Sequence, residues 1–467
     1  MDNVLTFLLP DEPGSASRRF FLTSAIWLAF GLLFGLTGAI QMVAPDLLPS
    51  VAQLSFGRVR PTHINLVVFG FLLSAYFGGF LHVVPAVCRT TLFSERLANF
   101  AVWFWNLVVA GIVVALPHGF TQGREYAELP WVLDVGVLAA VAVLIVLVFG
   151  TIARRQERLL YVSAWYVAGG LLWTFFVYAM GNVVWDPAHG SWTGMNDQIL
   201  MWFYGHNVVG LVVTPQAVAL AYYVLPRATR TPLWSHTLSL FGFWALIVMY
   251  THTGTHHLLQ APVPQWLKVI SIVNSVALLI PVFAFLTNVW LPIKNRFDRL
   301  FENVGAKFVF AGTVWYLITC LQGPFQSLPQ VQTVTHFTQW VVAHAHLALL
   351  GFGGFIAMGS AYYILPLVTR RGLYSVRLAD LQFWLMLLGT LGIFLSLTFA
   401  GLIQGEGWYN GEDVYRILPE LRTYFIARGI AGVLLVTGAC IFVFNVLMTI
   451  LGRGPAPEGP DLTGGAA

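Results

Sequence analysis

Long apolar runs separated by short polar or basic interludes dominate the chain. About twelve of them are long enough to cross a bilayer, which takes roughly 20 residues of helix. They cover approximately 20–43, 62–86, 97–116, 129–152, 160–182, 199–224, 236–258, 266–290, 305–324, 338–365, 378–402 and 423–450. This pattern predicts an all-α polytopic membrane protein of about twelve transmembrane helices. Residues 1–19 form a polar, loosely held lead, 20–451 a single twelve-helix domain, and the Gly/Pro/Ala-rich 452–467 a disordered tail. The first run is too long, and lacks the small-residue cleavage site, for a signal peptide. No internal repeat is evident.

Composition sets the solvent. The chain is 58% hydrophobic and 9% charged, against roughly 25% charged in soluble domains, and its mean hydropathy is +0.75. The net charge of +4 needs no nucleic-acid partner, because the positives lie between apolar runs. Arg89, Arg96, Arg154, Arg155, Arg158, Arg227, Arg230, Arg370 and Arg371 fall in loops of one side, with Arg18, Arg19 and Arg453. Only Arg58, Arg60, Arg124, Lys268, Arg416 and Arg422 fall opposite, and loops 183–198, 259–265 and 325–337 hold no Lys or Arg. Both termini are therefore expected in the cytoplasm. Cys88, Cys320 and Cys440 make no disulfide framework, and no Cys-x-x-Cys-His motif offers a covalent haem site.

The candidate chemistry is histidine. Of twelve histidines, six lie in apolar runs at one depth under this topology. His63 opens the second run, His206 lies a third of the way down the sixth, and His256 and His257 close the seventh. His344 and His346 stand early in the tenth. At about 1.5 Å rise per residue, all fall in the outer third of the bilayer. A lone membrane histidine is usually a polar group bonded to a neighbouring helix. Intramembrane ionisable groups are nonetheless costly and mark functional sites, and hydropathy alone does not set six at one level. With no thiolate cage and almost no carboxylate in the spans, this donor set favours haem iron and copper over zinc or calcium. Two histidines from two helices close a six-coordinate haem, one leaves an iron position open to a gas, and three hold a copper with an open site. His344 and His346 project roughly 200° apart on a helix, so one helix serves two haems, one per face. His206, His256 and His257 are then the copper cluster.

The segments FGRVRPTHINL, GREYAELPW, WFYGHNVVG, FWALIVMYTHTGTHHL, QGPFQSL and THFTQWVVAHAHLALLG resemble the haem–copper oxidases, in particular the catalytic subunit of the cbb3 type. The likeness runs from about residue 20 to 450. It implies that His63 and His346 hold a low-spin haem b and that His344 is the axial ligand of a high-spin haem b3. It implies copper on His206, His256 and His257, and a redox-active Tyr250 cross-linked to His206. The seven residues from Tyr250 to His257 would place both on one helical face. Cleaving O–O without releasing peroxide takes four electrons: two from iron, one from copper, and one, with a proton, from a tyrosine. Glu125 of GREYAELPW is implied as a calcium ligand, since oxygen donors suit that ion; a solvated loop face is the alternative for Glu125 and Glu128. Arg58, Arg60, His336 and Arg428 lie near the level where haem propionates emerge. Tyr223, Ser239, Tyr316 and Thr319 match family positions of one proton channel, and each serves equally as a packing hydroxyl. Gln322 departs from the pattern, which has a glutamate there. An amide keeps the hydrogen bond without the charge.

The expected function is a terminal oxidase that reduces dioxygen to water, coupled to proton translocation. Membrane-anchored c-type cytochrome subunits would supply its electrons within a hetero-oligomeric complex of the bacterial inner membrane. A nitric oxide reductase shares the six histidines but puts non-haem iron in place of copper and glutamates after the sixth-helix histidine. Here His206 is followed by Asn207-Val208-Val209-Gly210-Leu211, without an acid. A bis-histidine electron carrier or a transporter would leave His256 and His257 idle.

Overall fold

The computed structural model describes residues 6–183 and 193–456. Among these residues the regular elements are helical, and the only strand-like pairing is the bridge Arg124–Ala127. Eleven helices are long and apolar enough to cross a membrane. They are α1 Ser15–Gln41, α2 Phe56–Cys88, α3 Glu95–Ala115, α4 Trp131–Ala153, α5 Val162–Asn182, α6 Gly194–Thr229, α8 Gln265–Ile293, α9 Val304–Gln326, α10 Gln339–Thr369, α11 Val376–Tyr409 and α12 Val414–Ile450. The remaining long helix, α7 His236–Tyr250, has 15 residues.

The apolar run 236–258 is thus not one helix, which corrects the register expected for its histidines. Thr251 and Thr253 turn their hydroxyls onto the carbonyls of Val248 and Tyr250, at 2.8 Å each. Such back-bonding competes with helix continuation. The chain then re-enters a 3-10 turn, Gly254–Leu258. A Cβ on Gly254 would overlap the carbonyl of Trp202. Tyr250 and His257 are consequently not two turns of one helix.

Within the expected N-terminal lead, Arg19 donates to the carbonyls of Phe7 and Leu8 at 2.6 Å, and the Gly14 amide donates to Glu95 at 2.9 Å. Of the expected tail, 457–467 falls outside the described residues, as does 184–192 of the loop 183–198.

Three helices form the centre. Between 67% and 89% of the most apolar window of α2, α6 and α10 is buried inside the protein, against 39–56% for the other spans. The outer helices leave Leu107, Trp244 and Phe399 exposed, which suits a lipid solvent. The three central helices end alike, in segments PAVCRTTLFS, PRATRTPLWS and PLVTRRGLYS. Arg89, Arg230 and Arg370 each follow their proline by four residues and take a left-handed backbone, φ 49°, 55° and 52°. Five residues later Ser94, Ser235 and Ser375 cap α3, α7 and α11 by accepting an amide hydrogen bond. A repeat is therefore present, with a period of four helices. In the sequence it shows only as these short segments, which are easily passed over among long apolar runs.

α9 and α10 approach most closely at glycines. A Cβ on Gly305 would lie 2.7 Å from the carbonyl of Gly359, and one on Gly359 would lie 2.6 Å from that of Gly305. Small residues allow such approach in membranes. Gly359→Ala should separate the helices at a cost of about 1–3 kcal/mol, seen as a lower thermal midpoint of the purified complex. An unchanged midpoint would contradict the contact.

Candidate haem and metal site

Each central helix carries site histidines just before a π-helical stretch. His63 precedes Leu66–Leu73, His206 precedes Val208–Val213, and His346 precedes Leu347–Gly354. The π-turn inserts one residue into the ladder and commonly marks functional sites. It lets the ligand-bearing turn face the centre independently of the rest of its helix. Glycines then clear space: a Cβ on Gly35 would lie 2.7 Å from the His63 ring, and one on Gly210 would overlap the Tyr250 ring.

All six histidines line one cavity of about 620 Å³. On one side the rings of His63 and His346 face each other with centres 6.4 Å apart and planes 21° apart. That separation spans two metal–nitrogen bonds of about 2 Å plus the two half-rings. Each Nδ1 donates to a backbone carbonyl at 2.7 Å, His63 to Gly31 and His346 to Val342. Nε2 is left bare toward the gap. These residues fit an iron porphyrin held from both faces.

On the other side His344 Nδ1 bonds Gln322 Oε1 at 2.9 Å. Across the cavity, His206, His256 and His257 each offer a ligand nitrogen, all within 4.8 Å of one another. The local hydrogen bonds fix two of these rings. Ser275 Oγ donates to the Ser271 carbonyl at 2.6 Å, so it must accept from His256 Nδ1 at 2.7 Å. Thr253 Oγ1 donates to the Tyr250 carbonyl, so it accepts from His206 Nδ1 at 2.9 Å. Both Nε2 atoms are thereby bare. His257 lies flat against Trp202, ring centres 3.9 Å apart. A three-nitrogen set without thiolate or carboxylate fits copper. Tyr250 sits beside it, its ring 5.5 Å from that of His206.

The remaining sequence candidates divide. Arg60 and Arg428 line the cavity, as do Tyr316 and Thr319. Arg58 turns away to the Pro117 carbonyl at 2.9 Å. His336 stacks on Phe337 at 3.9 Å, and burial lowers its affinity for a proton. Glu125 is half-exposed and paired with Arg60. The buried acid of that motif is Glu128, which accepts from Asn65 Nδ2 and the Tyr126 amide at 3.0 Å each. Burial pushes its carboxyl above the usual range. Tyr223 and Ser239 lie away from the cavity: Tyr223 bonds His82 at 3.0 Å, and Ser239 bonds its own helix at His236. Sequence reasoning missed Thr253, Ser275, Trp202 and His82. Trp202 and Thr253 lie within the quoted segments WFYGHNVVG and FWALIVMYTHTGTHHL, and Ser275 and His82 outside them; all four escape notice because each acts through a neighbour distant in the chain.

Residues 15–434 match the family model of cytochrome c and quinol oxidase polypeptide I. The chain is 30% identical to the cbb3-type cytochrome c oxidase subunit CcoN1 of Stutzerimonas stutzeri, over 94% of this chain and 95% of that one. It is 27% identical to a nitric oxide reductase chain of the same organism, over 92% of this chain and 94% of that one. Its fold superposes on a haem–copper terminal oxidase solved by electron cryo-microscopy with a TM-score of 0.74. That match has 17% identity and covers 96% of this chain and 86% of the other.

Ser275→Ala removes the acceptor that orients His256. It should weaken metal retention at the three-histidine cluster by about 10- to 100-fold, read by competition with a chelator. Undiminished retention would show that Ser275 does not position the ligand.

Proposed function

Because the chain belongs to the haem–copper oxidase family of catalytic polypeptides, we propose that it is the catalytic subunit of a cbb3-type terminal oxidase. It reduces dioxygen to water with electrons from c-type cytochromes and couples this to proton translocation. The carrying observation is the grouping of six imidazoles around one cavity: two face to face, one alone, three together, with a tyrosine beside the three. In this reading His63 and His346 hold low-spin haem b, His344 holds high-spin haem b3, and His206, His256 and His257 hold copper. When bound, these groups supply the redox chemistry that binds and reduces oxygen.

The protein's own residues do the rest. Bare Nε2 atoms, held by their Nδ1 partners, spare the site a tautomer change on binding. Arg60 and Arg428 offer guanidinium groups at the cavity wall for propionate carboxylates. Tyr250 gives one electron and one proton from its phenol, and Thr214 lines the same cavity. Tyr316 and Thr319 share its cavity and pass protons toward it. Glu125, freed from Arg60, would hold calcium. The chain crosses the bacterial inner membrane twelve times, with α7 as the seventh span and both termini in the cytoplasm. Its partners are membrane-anchored c-type cytochrome subunits.

The nitric oxide reductase reading is favoured less because, among the described residues, no Asp or Glu lines the cavity, and non-haem iron prefers an added carboxylate. Metal and pigment analysis of the purified complex should give one copper for two b-type haems, counted apart from the c-type haems of its partners, and the reduced protein should bind carbon monoxide at one b-type haem. Iron without copper, or nitric oxide consumed far faster than oxygen, would overturn the oxidase reading. Tyr250→Phe should keep both haems and copper yet lose oxygen reduction by about 100- to 10,000-fold.

A further inference from the structure

Two histidines on α10 stand two residues apart and are oriented by different means. His346 donates from Nδ1 to the carbonyl of Val342, four residues back in its own helix. That acceptor is backbone and no substitution can change its character. His344 bonds instead to a side chain of another helix, Gln322 of α9, at 2.9 Å. Its neighbour Gly323 lies beside the same ring, where a Cβ would make ordinary contact 3.7 Å from His344 Cε1. The approach of α9 to α10 at Gly305 and Gly359 holds the two helices in register. One imidazole therefore has a fixed partner and the other an exchangeable one.

We infer that Gln322 is a positioning residue that sets the reduction potential of the iron on His344. This rests on His344 being the ligand of the high-spin haem. The amide oxygen accepts the Nδ1 proton, which leaves Nε2 as the donor atom. A neutral acceptor draws that proton only weakly, so the ring stays an ordinary imidazole. A carboxylate at the same place would pull the proton harder and make the ring more like imidazolate. A more basic ring stabilises ferric over ferrous iron. Gln322 thus holds the high-spin site at a higher potential than a glutamate would, which favours electron arrival there from the His63–His346 haem. The low-spin haem has no such control, because both of its imidazoles rest on backbone carbonyls.

The test is a spectroelectrochemical titration of the purified complex, resolving the two b-type haems optically from each other and from the c-type haems of the partner subunits. In Gln322→Glu the high-spin haem should shift to lower potential by at least about tenfold in the ferric-to-ferrous ratio, roughly 59 mV for one electron. In Gln322→Met, which removes the acceptor, it should shift upward. The low-spin haem should stay in place in both. General damage would not move one haem in opposite directions while sparing the other. Shifts of the same sign, no shift, or an equal shift of the low-spin haem would overturn the inference. If Gln322→Glu does not assemble, the iron–imidazole stretching band of ferrous Gln322→Met decides: it should fall in frequency, and an unchanged band overturns the proposal. A wild-type spectrum without a high-spin haem would instead overturn the assignment of His344 on which the inference stands.

Discussion

An imidazole in a membrane interior must place its N–H on an acceptor, because no water is there to take it. The structure meets this demand for five of the six site histidines through Nδ1. The acceptors are the carbonyls of Gly31 and Val342, the hydroxyls of Thr253 and Ser275, and the amide of Gln322. One hydrogen bond per ring then does three things. It removes the cost of burial, fixes the ring plane, and turns the lone pair of Nε2 toward the common cavity. Shape and chemistry come from the same constraint. The cavity walls are apolar apart from these nitrogens and a few hydroxyls, amides and guanidinium groups.

The three central helices are variations of one design. Each begins with a ligand-bearing turn, passes through a π-helical stretch, and ends at a proline, a left-handed arginine and a capping serine. Identical exits give the three helices a common footing at one end. The site end is where they diverge. To the cavity α2 brings one histidine, α6 one, and α10 two. The shared frame explains how residues more than 280 positions apart, His63 and His346, meet ring to ring.

Much of this is legible in the sequence. Apolar runs locate the helices because a bilayer tolerates little else, and the depth of His63, His206, His344 and His346 follows from counting residues into each run. The failures have physical causes. The run 236–258 ends in the polar stretch THTGTHH, and counting it into one span hides the helix stop at Tyr250; the stop comes from the hydroxyls of Thr251 and Thr253. Glu125 and Glu128 look equivalent in GREYAELPW, and only the fold makes one half-exposed and the other buried. The resemblance alone does not separate Tyr223 from Tyr316; in the fold Tyr316 lines the cavity while Tyr223 pairs with His82. The π-helical turns leave no periodic signal, since they fall within uniformly apolar sequence.

Those π-helical turns also divide each central helix into two parts that need not share a phase. An extra residue in a regular α-helix would swing everything beyond it by about 100°. The wide turn of Leu66–Leu73 takes up its extra residue locally instead. Each central helix can therefore gain or lose one residue at its wide turn while both of its parts keep their places. The same change one turn away would carry the histidine off its partners.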